Sequence, residues 1–377
     1  MEFKIYVDQF KLIISRLFTV LKAADDFDNC YIEVMEDMVK FYCHNNYVYL
    51  AVTSKDAEII ETGSCTVGFK NVYNYVSKFS ILVDDEGTEH FHFSVRDDKG
   101  SIKTKTLFKN SKPSYKSMKL KLIKGNYRKI DDVEDVDIIL NSDMLRGGIE
   151  KTASYIDKDG LRYAMSGLNF IIKKDSIVFV GTDGRRLSEY VMYIDNTKDF
   201  SEAYILNSHF VTGLYKLLDK NSQVFLKFEN GFVYLKCNNI FFTGSLLVGE
   251  EYPNYKTDLE GYEHIITVPY TPFIDGVSSL MGLLDKDDFS RMTLEIEGGS
   301  MRLSNNILSI DMELDTEVET PLLMDVNGIL LLSLLNSFSK DSEVVDICFT
   351  NNANLLLTFK VPGDDDHKIL LGTVRRR

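Results

Sequence analysis

The feature that most constrains the fold is a recurring unit, in which a short apolar strand runs into a polar capping residue and then an amphipathic helix. The unit recurs at intervals of roughly 55 to 75 residues, which is the behaviour of an internal repeat. Two copies share the string I-L-N-S, in which Asn or Ser can cap the helix by accepting a backbone N–H. The six predicted helices lie in “KIYVDQFKLIISRLFTVLKAA”, “CTVGFKNVYNYVSKF”, “DIILNSDMLRGGIEKTASYI”, “AYILNSHFVTGLYKLLDK”, “IITVPYTPFIDGVSSLMGLL” and “PLLMDVNGILLLSLLNSF”.

The segments between the helices are rich in strands. Apolar and polar residues alternate in runs that end in Gly, Asn or Asp turns, as in “VFLKFENGFVYLKCNNIFFTGSLL”. Two helices and two antiparallel sheets then make one domain. The predicted fold class is α+β, with three repeated domains at about 1–125, 126–260 and 261–377. “LIKGNYRKIDDVEDVD” and “LEGYEH” are the expected linkers.

Composition places the chain among globular proteins. Hydrophobic residues make up 44% of it, and no apolar run reaches the roughly 18 to 20 residues of a membrane span. The five cysteines are scattered and never spaced C-x-x-C, which is typical of buried thiols in a reducing compartment. The segment “MEFKIYVDQF” lacks the basic and apolar regions of a signal peptide, so we expect a cytoplasmic protein.

Charge is unevenly distributed along the chain. The net charge is −14, which by itself argues against binding to nucleic acid. Yet eleven Lys or Arg and no Asp or Glu lie between Lys99 and Ile130. A solvated linker and a surface that meets acidic groups elsewhere both fit this run, and the run alone does not decide between them.

The stretch “IVFVGTDGRRLSEYV”, residues 177 to 191, decides whether an enzyme is expected. Two apolar runs flank Asp183-Gly184, a dipeptide favoured by type I′ turns, so the stretch predicts a β-hairpin. A phosphate-binding loop would need G-x-x-x-x-G-K-[ST] or G-x-G-x-x-G, and the stretch has neither. No motif links a second carboxylate, a histidine or a nucleophile to Asp183. We therefore interpret the stretch as structural and not catalytic.

Three segments of the middle third are similar to one protein family. “DGLRYAMSGLNF” (159–170), “VFVGTDGRRLSEY” (178–190) and “FTGSLLVGEEYPNY” (242–255) resemble the middle domain of the bacterial sliding clamp, the β subunit of the replicative DNA polymerase III. The length, the threefold repeat and the six helix positions agree across the whole chain. The chain is therefore identified as a divergent bacterial or phage member of this family.

The resemblance implies a ring and a role in DNA replication. Two crescent-shaped subunits would dimerise head to tail, with helices lining a hole for duplex DNA and strands facing outward. The protein would be a processivity factor that tethers the polymerase to its template, with no catalytic chemistry and no cofactor. Encirclement needs no tight electrostatic binding, so an acidic protein can hold DNA in this way.

The resemblance also implies a groove, into which partner proteins insert a short motif of Gln and bulky apolar residues. The expected partners are the polymerase catalytic subunit, the clamp loader, and other replication and repair proteins. Arg185 stands where His is common, and the tail “LLGTVRRR” departs from the family’s usual ending, so a more acidic partner motif is favoured. The matching positions are Arg162, Met165, Thr182, Gly184, Arg185, Leu187, Pro253, Leu370 and Val374.

Mildly basic helices are what the resemblance implies for the DNA side of the ring. Weak phosphate contacts suit sliding, because neutralising many phosphates would bind DNA tightly. Ordinary helix solubility is an equal alternative for each cation, and Tyr163 is a candidate because the loop before it lies near DNA in the family. The candidates are Lys11, Arg16, Lys22, Lys70, Lys78, Arg146, Lys151, Lys158, Tyr163, Lys216 and Lys220.

Two strands of opposite charge are expected to close the ring. In “GSIKTKTLF” the lysines share one strand face, and in “SIDMELDTEV” the acids do. By resemblance, these strands lie at the edges of domains one and three and pair between subunits. A solvated acidic edge strand is the alternative. The predicted interface residues are Ile102, Lys103, Lys105, Leu283, Leu284, Asp311, Glu313 and Asp315.

Two alternatives to a clamp stay open from the residues alone. One is an enzyme with an acidic active site in a cleft between domains, although no catalytic motif supports it. The other is a ring-like binding protein without a DNA role. His90 and His92 share one strand face, but no third ligand is spaced to complete a metal site, so no metal is expected.

Overall fold

The computed structural model describes the chain except for residues 22–28, 79–89, 98, 107–113, 125–126, 128, 131–134, 161, 195–200, 250, 284–289, 339–341, 351–355 and 375–377. The chain forms two compact units. Unit 1 comprises Met1–Arg146 and His209–Leu246, and unit 2 comprises Gly147–Ser208 and Leu247–Arg377. The predicted division into three domains follows the repeats and not these units, and it stays a prediction.

Helices lie at all six predicted positions. The cap expected from the I-L-N-S string is present in its first copy, where Asn141 Oδ1 accepts the N–H of Asp143 at 2.7 Å. A short helix beside the expected second linker was not predicted. Within the described residues, no helix is long and apolar enough to cross a membrane. The helices are α1 (Val7–Leu21), α2 (Phe69–Ser77), α3 (Ser142–Thr152), α4 (Ser208–Leu217), α5 (Lys256–Glu260), α6 (Tyr270–Met281) and α7 (Gly328–Leu335), with 3-10 turns at Ala153–Tyr155 and Tyr163–Ser166.

Strands fill the segments between the helices, as the alternating patterns predict. Those of the first half are β1 (Glu2–Tyr6), β2 (Asn29–Val34), β3 (Val39–His44), β4 (Val48–Ser54), β5 (Glu58–Glu61), β6 (Gly63–Gly68), β7 (His90–Arg96), β8 (Lys99–Thr106), β9 (Ser114–Leu120), β10 (Leu122–Ile123), β11 (Ile138–Asn141), β12 (Gly167–Ile172) and β13 (Ser176–Thr182). Those of the second half are β14 (Arg186–Tyr193), β15 (Glu202–Asn207), β16 (Gln223–Glu229), β17 (Phe232–Cys237), β18 (Ile240–Ser245), β19 (His264–Pro269), β20 (Arg291–Ser304), β21 (Ser309–Asn327), β22 (Val344–Phe349), β23 (Leu356–Lys360) and β24 (His367–Gly372).

Unit 1 contains two antiparallel sheets. Its larger sheet has the strand order β10-β6-β2-β3-β4-β18-β17-β16-β11, and its smaller sheet has the order β5-β1-β7-β8-β9. The apolar face of α1 covers these sheets with Phe10, Ile14 and Leu17, all of which are buried. The larger sheet therefore joins strands from two predicted repeats, because β4 pairs directly with β18.

Unit 2 repeats this arrangement. Its larger sheet has the order β15-β12-β13-β14-β24-β23-β22-β19, in which β14 pairs with β24. The strands β20 and β21 form a separate two-stranded sheet. Helices α6 and α7 bury Phe273, Leu280 and Leu331 in one apolar cluster with strands from both sheets. The α+β class with antiparallel sheets is thus confirmed.

Two local predictions from the sequence are wrong. The strand “GSIKTKTLF” was expected at a sheet edge, but β8 is hydrogen-bonded to β7 on one side and to β9 on the other. Ile102 is accordingly fully buried inside unit 1 and is not free to form an interface core. The turn at Asp183-Gly184 is not type I′, because only Gly184, with φ of 77°, has a positive φ there and type I′ needs two.

Candidate peptide groove and DNA-facing surface

The hairpin between β13 and β14 is held by side chains of its own turn. Asp183 Oδ1 accepts the N–H groups of Arg185 and Arg186, both at 3.0 Å. Thr182 Oγ1 accepts the N–H of Gly184 at 3.1 Å. These side-chain oxygens satisfy the backbone N–H groups of the turn. The turn is therefore stable without the two positive φ angles of type I′ geometry.

Arg186 fixes this turn to the rest of unit 2. Its Nε donates to Asp183 Oδ2 at 3.0 Å, Nη1 donates to Ser333 Oγ at 2.8 Å, and Nη2 donates to the Ser154 carbonyl at 3.1 Å. The guanidinium also lies over the ring of Tyr155, 4.8 Å from its centroid. Each of the three guanidinium nitrogens of Arg186 therefore donates to a group within unit 2, and these bonds anchor the turn.

Arg162 and Arg185 differ from Arg186 in being exposed. Arg162 Nη1 contacts the sulfur of Met165 at 3.7 Å, and the guanidinium lies so close to Gly184 that an added Cβ there would be 2.2 Å from Nη1. Both arginines line a cavity of about 400 Å³ beside the turn, together with Ser154, Ile156, Asp157, Lys158, Asp159, Asp183, Gly184 and Arg186. Among the described residues, neither Arg162 nor Arg185 forms an ion pair.

The apolar floor next to the turn is built from paired strands. Leu187 on β14 lies opposite Leu370 on β24, and both are almost fully buried. Val180, Tyr255 and Leu259 belong to the same cluster. The segment around Pro253 closes over this floor, since the Tyr252 hydroxyl donates to the Val180 carbonyl at 3.2 Å and the Tyr255 hydroxyl to Glu189 at 2.6 Å.

The end of the described chain runs along the turn. The N–H of Gly372 donates to the Arg185 carbonyl at 2.7 Å, and the N–H of Val374 donates to the Asp325 carbonyl at 2.7 Å. The Asp325 side chain, 2% exposed, is held by Arg291 and by the Thr293 hydroxyl. Hydrogen bonds to the backbone of two neighbouring strands thus hold the tail in place.

The groove residues inferred from the resemblance therefore lie together in unit 2. The turn contacts the 3-10 segment with Arg162 and Met165 and also the tail. Tyr252 and Tyr255, on either side of Pro253, belong to the apolar cluster of Leu187 and Leu370. The sequence missed the residues that position them, namely Tyr155, Asp157, Asp183, Arg186, Tyr252 and Asp325. Only the second arginine of “GTDGRR” was a signal for these contacts.

Three cations predicted to face DNA are engaged within the protein. Arg16 is 7% exposed, because its guanidinium pairs with Asp219 at 2.6 Å and donates to Asn239. Arg146 Nη1 donates to the carbonyls at positions 215 and 218 at the end of α4. Lys151 lies over the ring of Tyr190, 4.0 Å from its centroid, and burial lowers its pKa. The charged groups of these three residues therefore contact other parts of the protein.

The other predicted cations are more accessible. Lys70, Lys78, Lys158, Lys216 and Lys220 are exposed, and so is Tyr163 at 47%. Lys11 is half-buried on α1, and Lys22 lies outside the described residues. Their exposure is compatible with screened contacts with phosphates, and their role on DNA stays a prediction.

The predicted interface residues lie on the inner strand β8, on β21 and in the segment after α6. Lys103 is exposed but lies on the inner strand β8, whereas Asp311 and Glu313 are exposed on β21. Leu283 is 50% exposed after α6. Leu284 and the side chains of Lys105 and Asp315 lie outside the described part of the structure.

Two histidine environments have a structural explanation. His92 Nε2 lies 2.6 Å from Glu2 Oε1 on the five-stranded sheet, and among the described residues no cluster could hold a metal ion. His367 is 2% exposed, with Nε2 3.1 Å from Ser188 Oγ. Burial, with a smaller effect from the nearby Lys151 charge, lowers the pKa of His367 to about 3.

Comparison with protein families places the middle of the chain. Residues 139–254 match the family model of the DNA polymerase III beta subunit, central domain. The chain is 26% identical to the beta sliding clamp of Vibrio cholerae over 239 residues, which is 62% of this chain and 64% of that protein. It is 25% identical to that of Chlamydia muridarum over 116 residues, 31% of each chain. The alignments thus span less than two thirds of these curated relatives.

Solved structures extend the similarity to the whole chain. The DNA polymerase sliding clamp of Bacillus subtilis superimposes with a TM-score of 0.86 at 17% identity, and the DNA polymerase III subunit beta of Pseudomonas aeruginosa with 0.86 at 15%. Both alignments cover 100% of both chains. The resemblance inferred from the sequence is confirmed, and the chain has the sliding-clamp fold throughout.

Proposed function

We propose that this chain is a DNA sliding clamp, a non-catalytic processivity factor that encircles duplex DNA as a head-to-tail homodimer. The observation that carries the proposal is the agreement of the whole chain with sliding-clamp structures, together with the family match of its middle third. The acidic composition fits this role, since a topological link does not depend on neutralising many phosphates. We expect a cytoplasmic protein that works with a clamp loader and a replicative polymerase.

Retention on circular DNA tests this function. After loading by a clamp loader onto nicked circular DNA, the protein should stay bound through gel filtration in moderate salt. Linearising the circle with one restriction cut should release it, because the ring slides off a free end. Retention on linear DNA with open ends would contradict a topological link, and failure to accelerate a polymerase on a primed circle would leave only a binding protein.

In this proposal the groove of unit 2 binds the polymerase and the other partners. Its floor of Leu187 and Leu370 accepts apolar side chains, and the tail beside it offers backbone groups for orientation. A labelled peptide containing Gln and two bulky apolar residues should bind the wild type. Leu187→Ala with Val374→Ala should weaken that binding without changing dimerisation.

For ring closure we propose that β9, and not β8, pairs with β21 of a second subunit. β9 is the last strand of its sheet and carries the exposed Lys116 and Lys119, while β21 carries the exposed Asp311 and Glu313. Two edges of opposite charge attract, whereas two like edges repel, so the charges favour head-to-tail closure.

A charge swap tests the edge assignment. Lys116→Glu with Lys119→Glu should give a folded monomer in sedimentation, and adding Asp311→Lys with Glu313→Lys should restore the dimer. Lys103→Glu serves as the matched control: it reverses one charge on the inner strand and should weaken the dimer less. A dimer that survives the double lysine change at micromolar concentration would refute the edge pairing but not the fold.

A further inference from the structure

The turn of unit 2 and its surroundings carry cations that form no ion pair with the described residues of the protein. Of its three neighbouring arginines, Arg186 is fully engaged by Asp183, Ser333, Ser154 and the Tyr155 ring. Arg162 and Arg185 are exposed and, among the described residues, have no carboxylate partner. Within the described part of the chain, the hydrogen-bond partner of the Arg162 guanidinium is the sulfur of Met165, which is a weak acceptor.

The acids around the same cavity are largely occupied. Asp183 gives both of its oxygens to the turn, through the N–H groups of Arg185 and Arg186 and the Nε of Arg186. Asp157 accepts the N–H of Asp159 at 3.1 Å and that of Arg162 at 3.3 Å. Backbone N–H groups do not neutralise the charge of Asp157, so, within the described residues, the unpaired charges around the cavity are the cations of Arg162, Arg185 and Lys158 and the anions of Asp157 and Asp159.

We propose that the partner peptide of this groove places a carboxylate in the cavity, against Arg162 and Arg185, so that Arg185 makes the clamp selective for acidic motifs. The inference rests on the proposed function of the groove and adds the chemical class of its ligand. A planar guanidinium binds a carboxylate through two parallel N–H donors, which fixes orientation as well as charge. The cavity of about 400 Å³ has room for such a side chain.

Gly184 helps to place the two arginines beside the cavity. Its φ of 77° and its lack of a side chain let the Arg162 guanidinium lie against the turn, close to where Arg185 follows in the chain. The Arg185 carbonyl meanwhile accepts the N–H of Gly372, so the backbone that carries Arg185 is tied to the wall of the groove. A cation on this backbone is therefore held beside the bound peptide.

Two matched peptides test the proposal. Both contain Gln and two bulky apolar residues, and they differ only in an Asp or an Asn between the apolar ones. Fluorescence anisotropy should show that the wild type binds the Asp peptide roughly three- to tenfold more tightly, the range expected for one partly exposed charged pair. The preference should shrink at high salt.

Variants assign the preference to Arg185. Arg185→Gln should remove most of the difference between the two peptides and leave the roughly twofold preference that Arg162 provides. Arg185→Glu should bind a third peptide, with Lys in place of the Asp, more tightly than it binds the Asp peptide. Lys174→Gln removes an exposed cation from the connection between β12 and β13, outside the cavity, and it should leave the preference intact.

The outcomes separate this proposal from the function on which it rests. If neither peptide binds the wild type, or if Leu187→Ala does not weaken either, the groove is wrong. If both bind equally well and Leu187→Ala weakens both, the groove stands and the acidic selectivity is refuted. An undiminished preference in Arg185→Gln would also refute the role of Arg185.

Discussion

The two units contain matching hairpin turns that serve different purposes. In unit 1, Asn45 Oδ1 accepts the N–H groups of Tyr47 and Val48 at 2.8 and 2.9 Å. In unit 2, Asp183 Oδ1 accepts the N–H groups two and three residues further on in the same way. In each turn the carbonyl of the third residue, Tyr47 or Arg185, accepts an N–H from the neighbouring strand.

The side chains on this common frame are different. In unit 1 the ring of Tyr47 stacks on His209, with centroids 4.1 Å apart. In unit 2 the equivalent residue is Arg185, beside a cavity and without a partner among the described residues. The two turns thus share the hydrogen bonds that build them, while the third residue of the turn stacks on a neighbouring ring in unit 1 and lines a cavity in unit 2.

Removal of the capping side chains is expected to have the largest effect, and a similar one in both units. Asn45→Ala also loses a bond to the Val20 carbonyl, and Asp183→Ala also loses the pair with Arg186. We expect each change to lower the free energy of unfolding by roughly 2 to 3 kcal/mol, since about three hydrogen bonds are lost. Urea unfolding followed by circular dichroism measures this effect.

Peptide affinity should then separate the two turns. We expect Asp183→Ala to weaken peptide binding more than tenfold, because Arg185 and Arg186 lose their anchor, and Asn45→Ala to leave it unchanged. Asp183→Asn keeps an oxygen that can accept both backbone N–H groups, and it is the control for general damage to the turn. Equal losses of affinity from the two alanine variants would show that the turn of unit 2 is not special.

Acidification is expected to have the next largest effect and to act mainly on unit 2. Burial lowers the pKa of His367 to about 3, while the unfolded chain has its ordinary value near 6.5. The unfolded state therefore takes up a proton that the folded state refuses, and stability falls as pH drops below about 6.5. Between pH 7 and pH 5 this costs about 2 kcal/mol.

The histidines of the two units make the comparison sharper. Burial also lowers the pKa of His209, but this residue is only half-buried, so its contribution is smaller. His367→Gln should flatten the pH dependence of the unfolding free energy, and His209→Gln should change it little. An unchanged slope in His367→Gln would mean that this histidine is not held neutral in the folded state.

The sequence predicted the helices and the hairpin correctly, but it did not predict which strands lie next to each other in a sheet. Helix positions and the hairpin followed from local periodicity and turn residues, and both are confirmed. The order of strands did not follow, because “GSIKTKTLF” and “SYKSMKL” both carry lysines among apolar or small residues. Nothing local distinguishes an inner strand from the edge strand next to it, since pairing partners are set by contacts distant in sequence.

The contacts of the cations could not be predicted either, because they also depend on residues distant in sequence. Arg16 occupies a helix position that suits DNA contact, yet its partner Asp219 lies 203 residues away. Arg185 and Arg186 are adjacent and chemically identical, but Arg186 turns towards Ser154 and Ser333 while Arg185 lines the cavity. Tertiary contacts decide which cation is bonded within the protein and which stays exposed. The sequence next to each cation does not show this.

The smallest expected effect concerns the second residue of each turn, Gly184 in unit 2 and Asn46 in unit 1. Gly184→Ala should cost about 1 kcal/mol of unfolding free energy, because its φ of 77° strains any other residue. Asn46 is exposed and has no positive φ, so Asn46→Ala should stay within about 0.5 kcal/mol.

The two substitutions should differ more clearly in selectivity. The new Cβ at position 184 would lie 2.2 Å from Arg162 Nη1, so the arginine must leave the turn, at little energetic cost because its side chain is flexible. We therefore expect Gly184→Ala to reduce the preference for the Asp peptide about twofold, the effect of weakening one exposed ion pair. Paired anisotropy titrations of the two variants measure it. Should Gly184→Ala destabilise the protein but keep the full preference, Arg185 alone would read the acid, and the glycine would serve only the turn.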